Sequence, residues 1–328
     1  MTYEATIIIP TYNRGELIKK CLSAILPQKT SRKFQVIVVD DGSSDNTAEI
    51  VNSYSEVLLV QQPNSGPGKA RNNGAYHARS EILVFTDDDC IPEPNWLDEL
   101  LKPFEDNDIA GVKGAYLSTQ KQLTAQFVQF EYEEKFDCLK KCKYIDLIDT
   151  YSAAFRREVF LKNGGYDTTF PVPCVEDREF SMRLSSMNYK LVFCDSAKVK
   201  HKHIDSPTEY LRKKIKNGYW TFYLILKLKN KPKSTSDTPK SQFIQIGLIA
   251  IMPFSLLFPI IHKLGWVEIF SVFFLFFLSC LPLSFRIFKR NKTLGLTSFF
   301  FLLLRALGLT LGIAKGMIDF SILKMKSS

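Results

Sequence analysis

The chain has 328 residues, of which 45% are hydrophobic and 23% are charged. This length exceeds one typical domain, and the composition is that of an ordinary folded protein. The charge is uneven, because residues 205–328 hold 18 Lys and Arg against 5 Asp and Glu, whereas residues 1–204 hold 25 against 29. An acidic front and a basic, apolar rear argue against one uniform body and predict a soluble domain joined to a membrane anchor.

The beginning of the chain and its cysteines bear on the compartment. The segment MTYEATIIIP has neither a basic leader nor a long apolar stretch, so we expect no cleavable signal peptide and a cytoplasmic front domain. Seven cysteines, scattered from Cys21 to Cys280, are typical of a reducing compartment rather than a disulfide framework. Cys138 and Cys142 are spaced for one helix face, but no second pair completes a zinc set.

The first 100 residues alternate short apolar runs with amphipathic stretches. The apolar runs predict buried strands at residues 5–9, 35–39, 57–60 and 82–85. The amphipathic stretches predict helices at residues 15–25, 47–53 and 68–78. This alternation predicts an α/β fold with a mostly parallel central sheet and helices on both faces.

Four polar segments directly follow these strands. They are PTYNR at 10–14, DDGSSDNT at 40–47, QQPNSGPGKARNNG at 61–74 and TDDDC at 86–90. In parallel sheets, ligands bind beyond the carboxyl ends of the strands. The sequence therefore predicts one ligand site at that edge of the sheet.

Two of these segments have a simpler interpretation when taken alone. DGSSDNT contains turn-forming residues, and Ser44 or Asp45 can cap the following helix. NSGPGKARNNG has the spacing of neither a Walker loop nor the dinucleotide fingerprint. It opens a helix with Lys69 and Arg71 in the first turn, which is a general way of binding phosphate. The convergence of four such segments favours a binding site.

The acidic segment crowds three carboxylates that repel one another. A solvated turn, a helix N-terminus and a metal site are the competing interpretations. In an extended chain the side chains alternate, so Asp87 and Asp89 point to one side and Asp88 to the other. That pair can share Mg²⁺ or Mn²⁺, which take carboxylate oxygens together with substrate phosphates. With Lys69 and Arg71 nearby, the predicted ligand is a nucleoside diphosphate.

The ordered motifs IIIPTYNR, VIVVDDGSSDNT, GKARNNG, FTDDDC, GGYD and EDREFSMRL resemble the inverting nucleotide-sugar glycosyltransferases of family 2, which have the GT-A fold. The resemblance covers residues 5–204. It implies that Asp40 binds the nucleotide base and that Asp87 and Asp89 form the DxD pair. It also implies that Asp177 is the catalytic base.

The resemblance implies roles for further residues. Donor-side contacts are expected at Pro10, Tyr12, Arg14, Asp41, Lys69, Arg71 and Asp88. Acceptor-side contacts are expected at Gly165, Tyr166 and Glu176. His201 is expected as a further metal ligand and is preferred over His203, because it follows the predicted strand 191–194 in a V-x-H pattern. The alternative for both histidines is a solvated basic segment.

The chemistry of sugar transfer supports the assignment of Asp177. Displacement of a nucleoside diphosphate by a hydroxyl group requires proton removal from the nucleophile and charge stabilisation on the leaving group. Asp177 can accept the proton, and a metal ion can stabilise the charge. The alternative is a surface helix in which Glu176 and Asp177 favour the N-terminus while Phe180 and Leu184 face the core.

The rear of the chain contains apolar runs. Residues 243–261 and 269–285 form runs of 19 and 17 residues without a formal charge, close to the ~20 residues of a membrane-spanning helix. A third run, 293–314, contains Arg305, so spanning the membrane and lying in its interface both stay open. The sequence predicts a GT-A domain at 1–204, a basic amphipathic linker at 205–240 and a membrane region of two or three helices at 241–328.

Basic residues flank the two uncharged runs, at 213–240 and at 286–292, whereas the connection between the runs carries little charge. The positive-inside rule places both basic flanks in the cytoplasm, which predicts a multi-pass membrane protein with a cytoplasmic catalytic domain. The lysines surround Tyr219, Trp220, Phe222 and Tyr223. This pattern favours membrane lipid over nucleic acid as the partner of the basic segment.

The expected reaction is transfer of one sugar from a nucleotide-sugar donor to a lipid-linked, glycan or membrane-delivered acceptor, with Mn²⁺ or Mg²⁺. Processive synthases of this fold carry a Gln-x-x-Arg-Trp element after the catalytic Asp, and this sequence does not. The segment YLRKKIKNGYW instead resembles the linker of members that add one sugar. Two alternatives remain: a nucleotidyltransferase acting on a sugar or lipid phosphate, and a membrane scaffold without activity.

Overall fold

The computed structural model describes residues 3–169, 175–228, 236–255 and 265–327, with the backbone alone at 265 and 323–327. The chain divides into two compact units. The first contains residues 1–119, 139–202 and 230–237, and the second contains residues 120–138, 203–229 and 238–328.

The first unit is built on an eight-stranded sheet. Its strands are β1 (Tyr3–Thr11), β2 (Phe34–Asp40), β3 (Val57–Gln61), β4 (Ser80–Phe85), β5 (Cys90–Pro92), β6 (Ile109–Leu117), β7 (Ala153–Arg156) and β8 (Lys190–His201). Across the sheet they lie in the order β3, β2, β1, β4, β7, β6, β8, β5. The strands β3, β2, β1 and β4 are parallel to one another. β7 pairs antiparallel with both β4 and β6, β8 is parallel to β6, and β5 is antiparallel to β8.

The helices follow in chain order. They are α1 (Gly15–Ile25), α2 (Thr47–Asn52), α3 (Pro67–His77), α4 (Trp96–Leu101), α5 (Leu123–Leu139), α6 (Arg157–Lys162), α7 (Glu176–Ser186), α8 (Pro207–Lys227), α9 (Lys240–Ser255), α10 (Gly265–Arg290) and α11 (Lys292–Ser327). Short 3-10 helices cover Lys102–Glu105 and Thr150–Ser152. The predicted α/β fold with a mostly parallel sheet is confirmed in the half built from β1 to β4, and the other half is mixed.

The first unit folds around apolar side chains placed at regular spacing. Helix α1 buries Ile18, Cys21, Leu22 and Ile25, which recur every three or four residues and form one apolar face. The last five residues of β2 are all buried, as expected for a central strand covered on both faces. Because β1, β2 and β4 are fixed by this core, the loops that follow them are held at one edge of the sheet.

The second unit contains acidic and basic side chains that pair with one another. Arg305 of α11 is 2% exposed, and its Nη1 lies 3.5 Å from Glu131 Oε1 and 3.3 Å from Glu134 Oε2 of α5. Arg305 Nη2 also donates to Gln245 Oε1 of α9 at 2.9 Å. Arg305 therefore faces protein, which is the arrangement that makes a buried charge tolerable.

Helix α5 also pairs with basic residues that the sequence analysis assigned to the membrane flanks. Lys214 of α8 lies 3.0 Å from Glu131, and Arg286 of α10 lies 2.7 Å from Asp137. The ring of Phe127 on α5 stacks on Phe301 of α11 with centroids 4.9 Å apart. These contacts group α5 and α8 with the C-terminal helices, whereas the predicted boundary at residue 204 left α5 in the front domain.

Helices α8 and α11 approach each other closely through glycine. A Cβ atom added to Gly218 or to Gly312 would lie under 3.0 Å from the carbonyl oxygen of Leu309 or Ile215, respectively. Real Cβ atoms do not approach an oxygen so closely, so these positions require glycine. Small residues allow the same backbone approach between helices in membranes.

Two helical segments of the described chain are long and apolar enough to cross a membrane. They are Trp266–Arg290 and Lys292–Ile322, with mean hydropathies of 2.1 and 1.9. They contain the predicted runs 269–285 and 293–314. The predicted run 243–261 lies partly outside the described residues, and its described part belongs to α9.

Candidate functional site

The acidic segment after β4 forms a turn. The amide of Cys90 donates to the carbonyl of Asp87 at 3.1 Å, so the chain is not extended here as the sequence analysis assumed. The turn still brings Asp87 and Asp89 together, because the possible ligand atoms of Asp87, Asp89 and Cys90 lie within 4.8 Å of one another. The two carboxylates share one side, as expected, but a turn rather than strand alternation is the cause.

Asp88 lies apart from this pair and is buried. Its Oδ2 accepts a hydrogen bond from Thr11 Oγ1 at 2.8 Å, and its Oδ1 accepts one from Arg14 Nη1 at 2.9 Å. Burial raises the pKa of Asp88 to about 6, although Arg14 and Thr11 oppose the rise. Asp88 and Arg14, both predicted to contact the donor, thus bind each other and tie the loop after β1 to the acidic turn.

His201 reaches the acidic turn because β8 pairs with β5, which sets His201 opposite Cys90. His201 Nε2 lies 3.7 Å from Asp89 Oδ1. Burial of Asp89 favours its neutral form, but His201 and Arg14 outweigh it and hold the pKa of Asp89 below its usual value. His203 belongs to the second unit, where its Nε2 lies 2.9 Å from Gln129 Oε1.

The side chains of the turn fit a hard divalent cation. Asp87 and Asp89 offer carboxylate oxygens, which Mg²⁺ and Mn²⁺ prefer, and His201 offers an imidazole beside them. Burial raises the pKa of the Cys90 thiol well above its usual value. A soft thiol is in any case a poor ligand for these hard cations.

Arg71 of α3 is buried and bridges two carboxylates. Its Nη2 donates to Asp87 Oδ1 at 2.6 Å, and its Nη1 donates to Glu176 Oε1 at 3.3 Å. Burial lowers the pKa of Arg71, but the charges of Asp87 and Glu176 outweigh this and raise it. The sequence analysis expects a phosphate contact at Arg71, and the structure adds that its guanidinium lies between two acidic groups. Lys69, on the same helix, is exposed.

Asp177 lies in the first turn of α7, next to Glu176. Its Oδ1 accepts a hydrogen bond from the amide of Arg178 at 2.7 Å. Burial, followed by the negative charges of Glu176 and Asp149, raises the pKa of Asp177 to about 7. A carboxylate with such a pKa is suited to accept a proton near neutral pH.

The loop with Gly165 and Tyr166 is fixed to α3 by Asn72. Asn72 Nδ2 donates to the carbonyl of Tyr166 at 2.8 Å, and the amide of Tyr166 donates to Asn72 Oδ1 at 2.9 Å. Gly165 has a φ of 63°, and a Cβ there would lie 2.5 Å from Asn72 Oδ1. This position therefore requires glycine.

The ring of Tyr166 is buried against Phe85, Phe160 and Phe180, with centroid distances of 5.2 to 5.4 Å. Because the faces of the ring pack in the core, they cannot make the acceptor-side contact predicted for Tyr166. The guanidinium carbon of Arg71 lies 6.0 Å from the ring centroid, so the tyrosine borders the site through Arg71.

Asp40 and Asp41 lie at the end of β2 and organise the neighbouring loops. Asp40 accepts hydrogen bonds from the amide of Ser43 at 2.9 Å and from Gln61 Nε2 at 3.2 Å. Asp41 accepts hydrogen bonds at 2.8 Å from the amides of Ser65 and Gly66. Both carboxylates are buried, so they hold the loops from which a nucleotide would be bound.

The remaining predicted donor contacts follow β1. Pro10 is a buried residue of that strand, whereas Tyr12 is 46% exposed at its end. The carbonyl of Thr11, between them, accepts a hydrogen bond from the amide of Asp41 at 2.9 Å. Of these two, only Tyr12 is open to a ligand.

Sequence reasoning missed two residues that shape the site. Asn72 sits directly after Arg71 in GKARNNG, where its side chain gave no signal of the loop it holds. Asp149 raises the pKa of Asp177 and pairs with the buried Lys113, but it lies in a segment without a motif. Neither role depends on local sequence pattern.

Comparison with known proteins identifies the fold and the family. The family model described as "Glycosyl transferase family 2" matches residues 6–164. The chain contains a family 2 glycosyltransferase domain. This confirms the family expected from the motifs, and the match ends before Asp177. The roles of Glu176 and Asp177 therefore depend on the geometry described above.

Two relatives of the family 2 domain are glycosyltransferases by name. Glycosyltransferase AglE of Haloferax volcanii is 28% identical over 204 residues, which cover 57% of this chain and 63% of AglE. The O-antigen chain rhamnosyltransferase WbaN of Salmonella anatum is 28% identical over 226 residues, which cover 65% of this chain and 70% of WbaN. The match to AglE thus spans slightly less than two thirds of that relative.

A solved structure shares the fold. The mannosyltransferase PcManGT from Pyrobaculum calidifontis, in complex with GDP-Man and Mn²⁺, superposes with a TM-score of 0.63 over 97% of this chain and 88% of PcManGT. The two sequences are 19% identical, so the likeness is one of fold. It confirms the expected GT-A architecture of the family 2 domain.

Proposed function

We propose that the protein transfers one sugar, with inversion, from a nucleoside diphosphate sugar to a hydroxyl group of a lipid-linked or membrane-delivered acceptor. One continuous chain of contacts carries this proposal. Asp87, one of the paired carboxylates of the acidic turn, binds Arg71, and Arg71 binds Glu176 beside Asp177. Groups that can bind a diphosphate are thereby joined to a group that can accept a proton.

The donor end of this chain of contacts supports metal dependence. Asp87 and Asp89, with His201 adjacent, would hold Mn²⁺ or Mg²⁺. A bound divalent cation supplies positive charge that stabilises a diphosphate leaving group. The presence of GDP-Man and Mn²⁺ in PcManGT, which shares the fold, also supports this. Lys69 is the exposed cation of α3 that can contact the phosphates.

Asp177, at the other end of this chain of contacts, performs the proton transfer. Asp177 accepts the proton of the acceptor hydroxyl, whose oxygen forms a bond to the anomeric carbon while the bond from that carbon to the diphosphate breaks. A pKa of about 7 allows Asp177 to be ionised before the reaction and to hold the proton afterwards. Arg71 binds Glu176 and so fixes the first turn of α7 relative to the acidic turn.

The membrane helices support an acceptor delivered by the bilayer. Arg286 and Arg290, at the C-terminal end of α10, pair with Asp137 and Glu133 of α5. The chain on both sides of α5 continues directly into the first unit. This supports placing the catalytic domain on the same side of the membrane as these arginines, which is the cytoplasmic side under the positive-inside rule. The name of WbaN, an O-antigen chain rhamnosyltransferase, supports a glycan chain as the acceptor class.

A donor panel tests the proposal. The full-length protein in detergent is incubated with UDP-, GDP-, CDP- and dTDP-sugars in the presence of Mn²⁺, Mg²⁺ or EDTA, and the released nucleotide is identified. We expect one donor class to release nucleoside diphosphate only when a divalent cation is present. Release of pyrophosphate from a nucleoside triphosphate would instead establish a nucleotidyltransferase, and equal activity in EDTA would remove the metal from the proposal.

A further inference from the structure

The segment just before α9 belongs to the first unit and contacts Arg178, the residue after Asp177. Asp237 is 1% exposed, and its Oδ1 lies 3.4 Å from Nη2 of Arg178. The amide of Ser236 donates to Asp146 Oδ1 at 3.0 Å, and the amide of Asp146 donates to Ser236 Oγ at 3.2 Å. Two successive residues of this segment are therefore fixed by side chains on different elements.

The same elements hold the first turns of α7. Ser181 Oγ donates to the carbonyl of Asp177 at 2.6 Å, and it accepts a hydrogen bond from the amide of Ile148 at 3.0 Å. The segment from Asp146 to Asp149 therefore contacts both α7 and Ser236. Arg178 connects α7 to Asp237 and also donates its amide to Asp177 Oδ1.

We propose that Asp237 is a positioning residue for the catalytic base: by binding Arg178 it fixes the first turn of α7 and so the orientation of Asp177. This inference depends on the proposed function, because it takes Asp177 as the base. The chain runs from Asp237 through Thr238 and Pro239 into Lys240, the first residue of α9. Asp177 is therefore held in place by the segment that leads into the membrane region, and activity depends on that segment being docked.

The charges around Asp177 support this arrangement. The groups that act on Asp177 from the elements packed around it are Glu176 of α7, Asp149 of the segment before β7 and Arg71 of α3. Among the charged groups around Arg178, Asp237 raises the pKa of the guanidinium most, followed by Asp149, Asp177 and Asp146. Removing the charge of Asp237 leaves the guanidinium of Arg178 less balanced beside Asp177. The expected consequence is a lower pKa of Asp177, which makes its carboxylate a weaker base.

The test uses the full-length protein in detergent with the donor found by the panel. The variants are Asp237→Asn, Asp237→Ala and Asp237→Glu. The matched control is Asp108→Asn, which removes the same charge from an exposed ion pair with Lys190. We expect Asp237→Ala to lower kcat by roughly tenfold to a hundredfold with little change in KM for the donor. We expect the acidic limb of the pH profile of kcat to move to lower pH in Asp237→Asn, and Asp237→Glu to restore part of kcat.

The pH profile separates positioning from simple stabilisation. A purely structural role would lower the folded fraction of every Asp237 variant without moving the midpoint of the acidic limb. An unmoved midpoint together with a kcat equal to that of Asp108→Asn would overturn the inference.

Hydrogen exchange gives a readout that does not depend on activity. In Asp237→Ala we expect faster exchange of the α7 amides than in Asp108→Ala, with peptides of β1 and β2 unchanged. Unchanged exchange in α7 would show that Asp237 does not hold the helix. If the wild-type protein transfers no sugar, the proposed function fails, whereas the exchange result still decides whether this contact fixes α7.

Discussion

Arg71 Nη2 lies 2.6 Å from Asp87 Oδ1, so a buried cation already balances one of the two carboxylates proposed to bind metal. Asp89 has a weaker cationic neighbour, since Arg14 Nη1 lies 3.3 Å away and is half-exposed. A cation that enters the turn must share Asp87 with Arg71, whereas Asp89 can turn towards it more freely. Asp89 should therefore contribute more to metal affinity than its position in a run of three aspartates suggests.

The first prediction compares Asp89→Asn with Asp88→Asn. Asp89→Asn removes an anionic ligand and should greatly reduce the gain in nucleoside diphosphate affinity that Mn²⁺ produces. Asp88→Asn should leave most of that gain, because the buried carboxylate of Asp88 is already engaged by Thr11 and Arg14. Titration calorimetry of each variant with and without Mn²⁺ measures the ratio of affinities. Equal loss of the Mn²⁺ effect in both variants contradicts the separation of the two side chains.

The second prediction concerns turnover at Asp177. Asp177→Asn keeps the size of the side chain but cannot accept a proton, so transfer should fall by roughly 10² to 10⁴ while donor affinity hardly changes. In the wild-type protein, kcat should rise with pH through about 7, because the base must be ionised. Turnover and donor affinity are measured on the same purified protein.

The neighbouring Glu176→Gln variant is the control for this prediction. It weakens the contact with Arg71 but keeps the carboxylate of Asp177, so it should reduce turnover less than Asp177→Asn does. A selective loss in Glu176→Gln, with nearly normal turnover in Asp177→Asn, would move the role of the base one residue upstream.

The third prediction concerns stability and pH at the same residue. The pKa of Asp177 is about 7 in the folded protein against an ordinary value of 3.8. Between these values the folded state holds a proton that the unfolded state has released, so this group lowers the free energy of unfolding as pH rises. Asp177→Asn should therefore raise Tm more at pH 8 than at pH 5. Asp108→Asn, at an exposed ion pair, should show no such increase between the two pH values.

The fourth prediction concerns the charges of the second unit. Arg305→Ala leaves Glu131 and Glu134 without their buried partner and should cost about 3 to 5 kcal/mol of unfolding free energy. Arg286→Ala removes an ion pair whose two side chains are both about half exposed and should cost under about 1 kcal/mol. Thermal unfolding in detergent compares them. Similar losses in the two variants would mean that the Arg305 cluster does not stabilise the folded unit.

The fifth prediction concerns the anchor. A protein that ends after Pro239 lacks α9, α10 and α11 and should lose attachment through the spans while it keeps nucleotide binding. The basic helix α8 should still bind anionic vesicles weakly, and salt should release it. Flotation with vesicles at low and high salt, together with nucleotide titration, checks both parts. A folded protein of this length that binds no nucleotide would contradict a separable catalytic unit.

Local pattern was sufficient for the elements that carry the site. The boundaries of β2, β3, α1, α2 and α3 were predicted within one residue, because apolar spacing along the chain determines which face is buried. The meeting of polar segments after β1, β2 and β4 also followed from the parallel order of these strands. Such predictions need only neighbours in sequence and one rule of sheet topology.

The contacts that tune the site were beyond this approach. Arg71 and Glu176 are 105 positions apart, so the residue type of Arg71 pointed to phosphate and gave no sign of the carboxylate of Glu176. Arg305 and Glu131 are 174 positions apart, which is why α5 was assigned to the front domain. In both cases a buried charge is stabilised by a residue that only the folded chain brings near.

The glycine contact between α8 and α11 decides how firmly α8 is attached. Since the backbone of each helix touches the other at Gly218 and Gly312, neither helix can rotate about its own axis without a collision. In the full-length protein, α8 should therefore stay attached to α11 despite its lysines. Leu296 on α11 is 77% exposed, so removal of this pair from a bilayer would bring bare apolar surface into water. We therefore expect that detergent, rather than carbonate or high salt, will be needed to extract the protein from membranes.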